Sequence, residues 1–184
     1  MTHRRPPLLR RPFCAVLVIN MIKYIALDQA TKHTGYSIWG LSPSCDAPSL
    51  LEYGMLKANV KNDVISRMRE MYSDIKGLIF THKPNYVFFE ATQFQSNQRV
   101  YSTLSQLQGI VMAILFEKDI GFSIIEPSSW KSYCGVTGRK REEQKAKSIA
   151  IASKQFGLSD LTDDVADAIL IGYYGAHILN NEKG

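Results

Sequence analysis

Apolar and polar residues alternate in two different patterns along the chain, and the pattern of the first third predicts strands. Residues 23–28, 35–40 and 51–57 are short runs rich in branched and aromatic residues, and turn-forming residues separate them. Sequential strands joined by short turns form an antiparallel meander. The first third of the chain is therefore predicted to contain three antiparallel strands.

The second pattern has helical spacing, and the helices that it predicts alternate with two further strands. Apolar residues recur every three or four positions across residues 64–79 and 100–115, which predicts two helices. The runs "YVFF", which precedes Glu90, and "FSII", which ends at Ile125, predict a fourth and a fifth strand. After a basic segment, the spacing predicts two last helices, near residues 149–156 and 163–180.

This order of elements, β-β-β-α-β-α-β-α-α, predicts the fold class. Hairpin-connected strands followed by strands alternating with helices indicate an α/β fold with a five-stranded mixed sheet, three strands antiparallel and then two parallel, and with helices on both faces. A chain of 184 residues suits one such domain. We assign the domain to residues 21–184 and expect residues 1–20 to form a disordered N-terminal extension.

Composition places the protein among ordinary globular domains. Apolar residues make up 45% and charged residues 21% of the chain, and no run approaches the ~20 apolar residues of a membrane-spanning helix. We therefore expect no membrane association. The cysteines at 14, 45 and 134 form no C-x-x-C pair, which argues against a disulfide framework or a zinc site and favours the cytoplasm.

The positive charge is informative only where it is local. The formal net charge is +5, but residues 1–20 hold four arginines and no acid, so the remainder carries only +1. Residues 131–147 carry a local excess of +4, because six basic residues face Glu142 and Glu143. This segment is the candidate nucleic-acid surface.

Acidic residues end two predicted strands and begin the last helix. Asp28 ends the first strand and Glu90 the fourth, while Asp164 and Asp167 are three apart and share a helical face. Singly, Asp28 could form a turn, Glu90 could lie at the rim and Asp164 could cap the helix, but Asp167 lies a turn inside among apolar residues. Together they predict a site for hard divalent cations, and two such ions can promote phosphodiester hydrolysis.

Three segments carry a family resemblance: "IALDQATKHTGYSIW", "KPNYVFFEATQFQSNQ" and "DDVADAILIGYYGAH". In this order and spacing, across residues 21–180, they resemble the RuvC-type Holliday-junction resolvases of bacteria and phages, which have a ribonuclease H-like fold. The resemblance implies a homodimer that cuts four-way or branched DNA by paired phosphodiester hydrolysis leaving 5′-phosphate ends. It also implies a catalytic requirement for Mg²⁺ or Mn²⁺, with two ions per site.

The resemblance also assigns residues. It places the catalytic, metal-binding acids at Asp28, Glu90, Asp164 and Asp167, with Asp163 as a competing choice for the third acid. The basic residues near the scissile phosphate fall on Lys131 and Lys145, and Lys147 remains an alternative to Lys145. The expected DNA-binding residues are Phe94, Gln95, Arg139, Lys140 and Arg141.

Simpler structural interpretations compete with the DNA-binding assignments of the basic residues and of Phe94. Arg139, Lys140 and Arg141 could be a solvated basic face that only attracts DNA. Phe94 could stack on bases at the opened junction or simply pack within its loop, and it lies one residue further from the acid than in the usual pattern. Whether the protein has a helicase partner is not readable from the sequence.

Three other function classes fit parts of the pattern. A broader ribonuclease H-like nuclease would use the same acids, and a non-cleaving DNA-binding protein would keep only the basic surface. An actin-like ATPase or kinase also begins with a strand that ends in Asp. Those proteins consist of two such lobes, however, and a single lobe would take up nearly all of the residues of this chain. A junction endonuclease explains the whole ordered set of acids best.

Overall fold

The computed structural model of the protein describes residues 21–43, 45–94 and 97–181. Five strands and five helices lie in this part of the chain. In chain order they are β1 (Ile22–Asp28), β2 (His33–Ser42), β3 (Cys45–Lys57), α1 (Val64–His82), β4 (Tyr86–Glu90), α2 (Gln98–Glu117), β5 (Gly121–Ile125), α3 (Pro127–Cys134), α4 (Arg141–Phe156) and α5 (Asp163–Asn181).

The strands form one mixed sheet in the spatial order β3-β2-β1-β4-β5. The pairs β1–β2 and β2–β3 are antiparallel, whereas β4 runs parallel to β1 and β5 parallel to β4. The predicted fold class, with three antiparallel strands and two parallel ones, is confirmed. The central strand β1 has neighbours on both sides, and its residues 24–27 are fully buried.

Helices cover both faces of the sheet, and the alternation of side chains along β1 divides the core between them. Ile25 and Leu27 belong to a cluster that includes residues of α1 and α2. Tyr24 and Ala26 point the other way and pack in a second cluster, with residues of α3, α4 and α5. This double burial explains why β1 has an unbroken apolar sequence rather than an alternating one.

Helix α5 lies unusually close to the sheet. A Cβ atom on Gly172 would come within 2.1 Å of the Trp39 Nε1 atom, so only glycine permits this approach. Two hydroxyl groups on the strands also donate hydrogen bonds to carbonyl oxygens of the helix. Ser37 Oγ donates to the Ala168 oxygen at 2.7 Å, and Tyr24 OH donates to the Gly172 oxygen at 3.1 Å. These contacts fix both the height and the register of α5 on the sheet.

The structure departs from the predicted elements in three places. Helix α4 begins at Arg141, eight residues before the apolar positions that predicted it, because its first two turns are mostly polar. Three helices follow β5 rather than two, because α3 was not predicted. It has only eight residues, of which Pro127 and Trp130 are buried, so it is too short to show a repeating apolar pattern. Strands β2 and β3 are also longer than the apolar runs that predicted them.

Two further expectations concern the N-terminal extension and membrane-spanning helices. Residues 1–20, the predicted N-terminal extension, lie outside the described residues. Within the described part of the chain, no helix has the length and apolar character needed to cross a membrane.

Candidate functional site

A cleft of about 270 Å³ opens where β1 and β4 end and α5 begins. Asp28 and Glu90, the last residues of β1 and β4, line it. Asp164 and Asp167 line it from the first two turns of α5. The four acids predicted from separate segments of the sequence therefore lie in one cleft.

The sheet geometry explains how these segments meet. In the parallel pair of β1 and β4, Leu27 is opposite Phe89, so the next residues, Asp28 and Glu90, emerge at the same level of the same edge. On the other side of β1, Asp28 pairs with Gly35 of β2. A Cβ atom on Gly35 would lie 1.9 Å from the backbone oxygen of Asp164. The absence of a side chain at Gly35 therefore lets the start of α5 lie directly over this edge.

The four carboxylates are partly buried, and the protonation of Asp28 depends most on its neighbours. Burial is the main cause that raises the pKa of Asp28 well above its usual value, and the negative charges of Glu90, Asp167 and Asp164 raise it further. Burial also raises the pKa of Asp167 to about 6, although a hydrogen bond with Ser148 partly opposes the shift. Without a cation, the cluster therefore holds its protons up to an unusually high pH.

Glu90 is held by a buried aromatic side chain. Trp130 of α3 is fully buried, and its indole Nε1–H donates to Glu90 Oε1 at 2.8 Å. Burial raises the pKa of Glu90, while this hydrogen bond and the nearby Lys131 charge oppose the rise. The short helix α3, which the sequence pattern did not predict, therefore fixes the orientation of one candidate metal ligand.

The donor chemistry of the cleft fits a hard divalent cation. Its acids offer only oxygen atoms, the ligands that Mg²⁺ and Mn²⁺ prefer. Asp167 Oδ1 is buried and has no hydrogen-bond partner, which is costly unless a ligand satisfies it. Among the described residues, no three His, Cys, Asp or Glu side chains are gathered closely enough to hold an ion as they stand. Ion binding would therefore draw the carboxylates closer together.

Two lysines face the acids across the cleft. Lys131 of α3 donates to Gln144 Oε1 at 3.4 Å, and Lys145 of α4 forms an ion pair with Asp163. Lys147, the alternative to Lys145, hydrogen-bonds the Thr137 hydroxyl and is not part of the cleft lining. The geometry therefore favours Lys145 over Lys147 as the second lysine of the site.

The same ion pair distinguishes the two candidates for the third acid. Asp163 and Asp164 both line the cleft, but Asp163 is the partner of Lys145. Burial acts to raise the pKa of Asp163, yet the hydrogen bond and charge of Lys145 outweigh it and the pKa falls. Burial and the negative charge of Asp163 raise the pKa of Asp164. Asp164 is therefore the better candidate metal ligand, because Asp163 is already paired with Lys145.

The predicted DNA-binding residues lie in different places. Arg141 lines the cleft, whereas Arg139 and Lys140 are exposed just before α4 and outside the lining. Phe94 is 78% exposed and makes an edge contact with Tyr101, also outside the lining. Gln95, the remaining candidate, lies outside the described residues.

Four residues of α4 line the cleft and form a stripe along the helix, of which only Arg141 and Lys145 were predicted as site residues. Gln144 and Ser148 follow Arg141 by three and seven positions, and Lys145 follows it by four. This is the spacing of one helix face. The stripe was visible in the sequence, but polar residues at helical spacing also describe any solvated surface. Gln29 likewise lines the cleft and donates to the Glu90 backbone oxygen at 2.6 Å.

Comparisons with known proteins agree with this architecture. Residues 24–173 match the family model described as crossover junction endodeoxyribonuclease RuvC. A protein of that name from Heliobacterium modesticaldum is 24% identical over 157 residues, covering 84% of this chain and 94% of the relative. The namesake from Gloeobacter violaceus is 26% identical over 156 residues, covering 84% and 87%.

Solved structures share the fold at low sequence identity. Thermus thermophilus RuvC in complex with a Holliday junction substrate superposes with a TM-score of 0.69 at 15% identity, covering 88% of this chain and 96% of that one. The fowlpox virus resolvase, in complex with substrate Holliday junction DNA, gives 0.61 at 14% identity, covering 85% and 98%. With the family match spanning most of its length, the chain belongs to the RuvC family of crossover junction endodeoxyribonucleases.

Proposed function

We propose that this protein is a metal-dependent endonuclease that resolves four-way or branched DNA junctions by paired phosphodiester hydrolysis leaving 5′-phosphate ends. The observation that carries the proposal is the convergence of Asp28, Glu90, Asp164 and Asp167 in one cleft. Its membership of the crossover junction endodeoxyribonuclease family supports the same reaction and substrate. Nucleases of this family are metal-dependent, which agrees with the acidic character of the cleft.

The four acids would hold two Mg²⁺ or Mn²⁺ ions. Ions bound there would supply Lewis-acid activation of water and would neutralise charge on the departing 3′-oxygen. Asp28 and Glu90 end two strands of the sheet, and Asp164 and Asp167 stand on a helix anchored to that sheet, so drawing the carboxylates around an ion would move side chains rather than these elements. Rigid placement of this kind is what positional catalysis requires.

Basic residues around the acids would hold the DNA. Lys131 and Lys145 lie at the cleft and would place compact positive charges beside the scissile phosphate. Arg141 lines the same cleft, and the exposed Arg139 and Lys140 would contact phosphates further along the strand.

An aromatic contact to the junction would come from the loop that follows β4. The exposed Phe94 ring would stack on bases of the opened junction, with Gln95 beside it in sequence. Stacking on an aromatic ring is worth about 1–3 kcal/mol per base, enough to stabilise an unpaired base at the crossing point.

Paired cuts on two strands need two active sites, so the active form would be a homodimer. Helix α2 offers an open surface for such a contact, because Val100 is 41% exposed and a Cβ atom on Gly109 would have no neighbour within 4 Å. Light scattering should give about twice the chain mass of 20.8 kDa. A monomer that makes paired cuts would contradict this part of the proposal.

The decisive experiment is cleavage of a synthetic four-way junction with each strand labelled in turn. We expect symmetric nicks in Mg²⁺ or Mn²⁺, none in EDTA, and much slower cutting of duplex, flap and RNA–DNA hybrid. Asp28→Asn should abolish cleavage and retain junction binding, because it removes a metal ligand and leaves the basic surface intact. Asp74→Asn, at an exposed position of α1, is the matched control. If Asp28→Asn cuts at the parental rate, the assignment of the site is wrong.

A further inference from the structure

Gln144 of α4 joins a candidate catalytic lysine to the backbone of the adjacent loop. Its Nε2–H donates to the Gly138 carbonyl oxygen at 2.9 Å, and its Oε1 accepts from Lys131 Nζ at 3.4 Å. A carbonyl oxygen can only accept and an ammonium can only donate, so these two partners fix the orientation of the amide. Gln144 is partly buried at the cleft wall, where solvent competes less for its bond with Lys131.

The loop to which Gln144 is bonded is itself fixed on α4. We call residues 137–140 the basic turn, because they include Arg139 and Lys140. The backbone N–H of Arg139 donates to Glu143 Oε2 at 3.1 Å, and the Thr137 hydroxyl is bonded by Lys147. With the bond from Gln144, three side chains of the first two turns of α4 hold the basic turn.

The same turn lies at van der Waals distance from the helix. A Cβ atom on Gly138 would come within 3.1 Å of the Glu143 Cβ atom and 3.3 Å of the Gln144 Cγ atom. A side chain at this position would push the turn away from α4. The turn therefore presents the charges of Arg139 and Lys140 at a set distance from the cleft.

We propose that Gln144 is a positioning residue, which holds the ammonium group of Lys131 at the cleft and ties it to the basic turn. Lys131 has a flexible four-carbon side chain, and its Nζ also lies 5.3 Å from the centroid of the Trp130 ring. When DNA phosphates bind the basic turn, the bond through Gly138 keeps Gln144, and with it Lys131, in register with the strand being cut. This role deepens the proposed nuclease function and rests on it.

The effect should appear in the chemical step and depend on Lys131. Hydrogen bonds to charged groups, and residues that orient catalytic groups, are typically worth about tenfold or somewhat more in rate or affinity. Gln144→Met keeps the side-chain length and helix propensity but loses both polar contacts. Gln155→Met, at an exposed position near the end of the same helix, is the matched control.

Single-turnover cleavage of the four-way junction by Gln144→Met, Lys131→Ala and the double variant tests this role. We expect Gln144→Met to lower the saturating rate about tenfold with junction affinity within about twofold of the parent, and Gln155→Met to change neither. In the Lys131→Ala background, Gln144→Met should cause no further loss, because its partner is already absent. Losses that multiply in the double variant, or parental cleavage by Gln144→Met, would overturn the proposal.

A second readout does not need cleavage. The rate at which an amine-reactive ester modifies Lys131, followed by peptide mass spectrometry, should rise at least about twofold in Gln144→Met because the amine is no longer held against Gln144 Oε1. Gln144→Asn, one methylene shorter, should behave in the same way. Equal Lys131 reactivity in all variants refutes the contact, whatever the protein cuts. Parental protein that fails to cut junctions while Lys131 responds as expected refutes the proposed function instead.

Discussion

Placing a methyl group at Gly35 should move the first turn of α5 and so separate the acids it carries from those of the sheet. In Gly35→Ala, the new Cβ atom would lie 1.9 Å from the Asp164 backbone oxygen, 2.4 Å from its carbonyl carbon and 3.0 Å from the Val165 nitrogen. Ordinary contact needs about 3.5 Å, so the helix must retreat by about 1.5 Å. The obstructing atoms are backbone, which means that no change of side-chain rotamer can relieve the clash.

Two effects of different size should follow from this displacement. Overpacking of a core contact costs about 1–3 kcal/mol, which for a chain of this length corresponds to a fall in Tm of about 5 °C. A misplacement of about 1 Å at a catalytic centre can cost about 100-fold in rate. We therefore expect a protein that is folded at 25 °C yet cleaves a four-way junction about 100-fold more slowly than the parent.

The assay combines thermal unfolding with single-turnover cleavage in Mg²⁺ at 25 °C. Gly77→Ala, in helix α1, is the matched control, because it adds the same methyl group at a helical position where nothing lies within 4 Å. That change should raise stability by up to about 1 kcal/mol and leave cleavage unchanged. Parental cleavage by Gly35→Ala would refute the inferred dependence of the site on this close approach.

Three further predictions concern the cleft. In EDTA, Asp167 binds more protons in the native than in the unfolded state between pH 3.8 and about 6, so the unfolding free energy should fall by about 3 kcal/mol across this range. In urea titrations, the unfolding free energy of Asp167→Asn should depend much less on pH and should exceed that of the parent at pH 7. An unchanged pH dependence would contradict the raised pKa of Asp167. Lys145→Ala should slow cleavage at least about tenfold, whereas Lys147→Ala should not, and equal losses would contradict the placement of Lys145 in the cleft. Trp130→Phe removes the donor to Glu90 and should move the pH profile of cleavage to higher pH, and an unmoved profile would exclude that bond as a determinant.

The sheet was predictable from sequence because the central strands are buried on both faces and so appear as continuous apolar runs. β1 is covered on both faces and β4 is nearly so, which gives the continuous apolar runs before Asp28 and Glu90. Helices α1 and α2 each bury one face, which gives a regular spacing. The pattern fails at α3, where only one tryptophan and one proline are fully buried and no period can be measured.

The candidate acids were predictable as an ordered set, because Asp28 and Glu90 end apolar runs and Asp167 lies among apolar residues three positions after Asp164. Their partners were not, because Gln144 and Ser148 are polar residues on a polar helix, and nothing in the sequence distinguishes a cleft-facing glutamine from a solvated one. The choice between Lys145 and Lys147 needed coordinates for the same reason. Only the direction of each side chain shows that the former pairs with Asp163 and the latter with Thr137.

The hydrogen bonds from Tyr24 and Ser37 have a consequence for how this protein can diverge. Both hydroxyls bond main-chain oxygens of α5, so no substitution in the helix can delete either acceptor. Changes at the two strand positions, by contrast, would release the helix that carries Asp164 and Asp167. Drift within α5 should therefore be tolerated wherever packing allows, while the spacing of the candidate metal ligands would depend on two buried hydroxyl groups that lie outside the cleft lining.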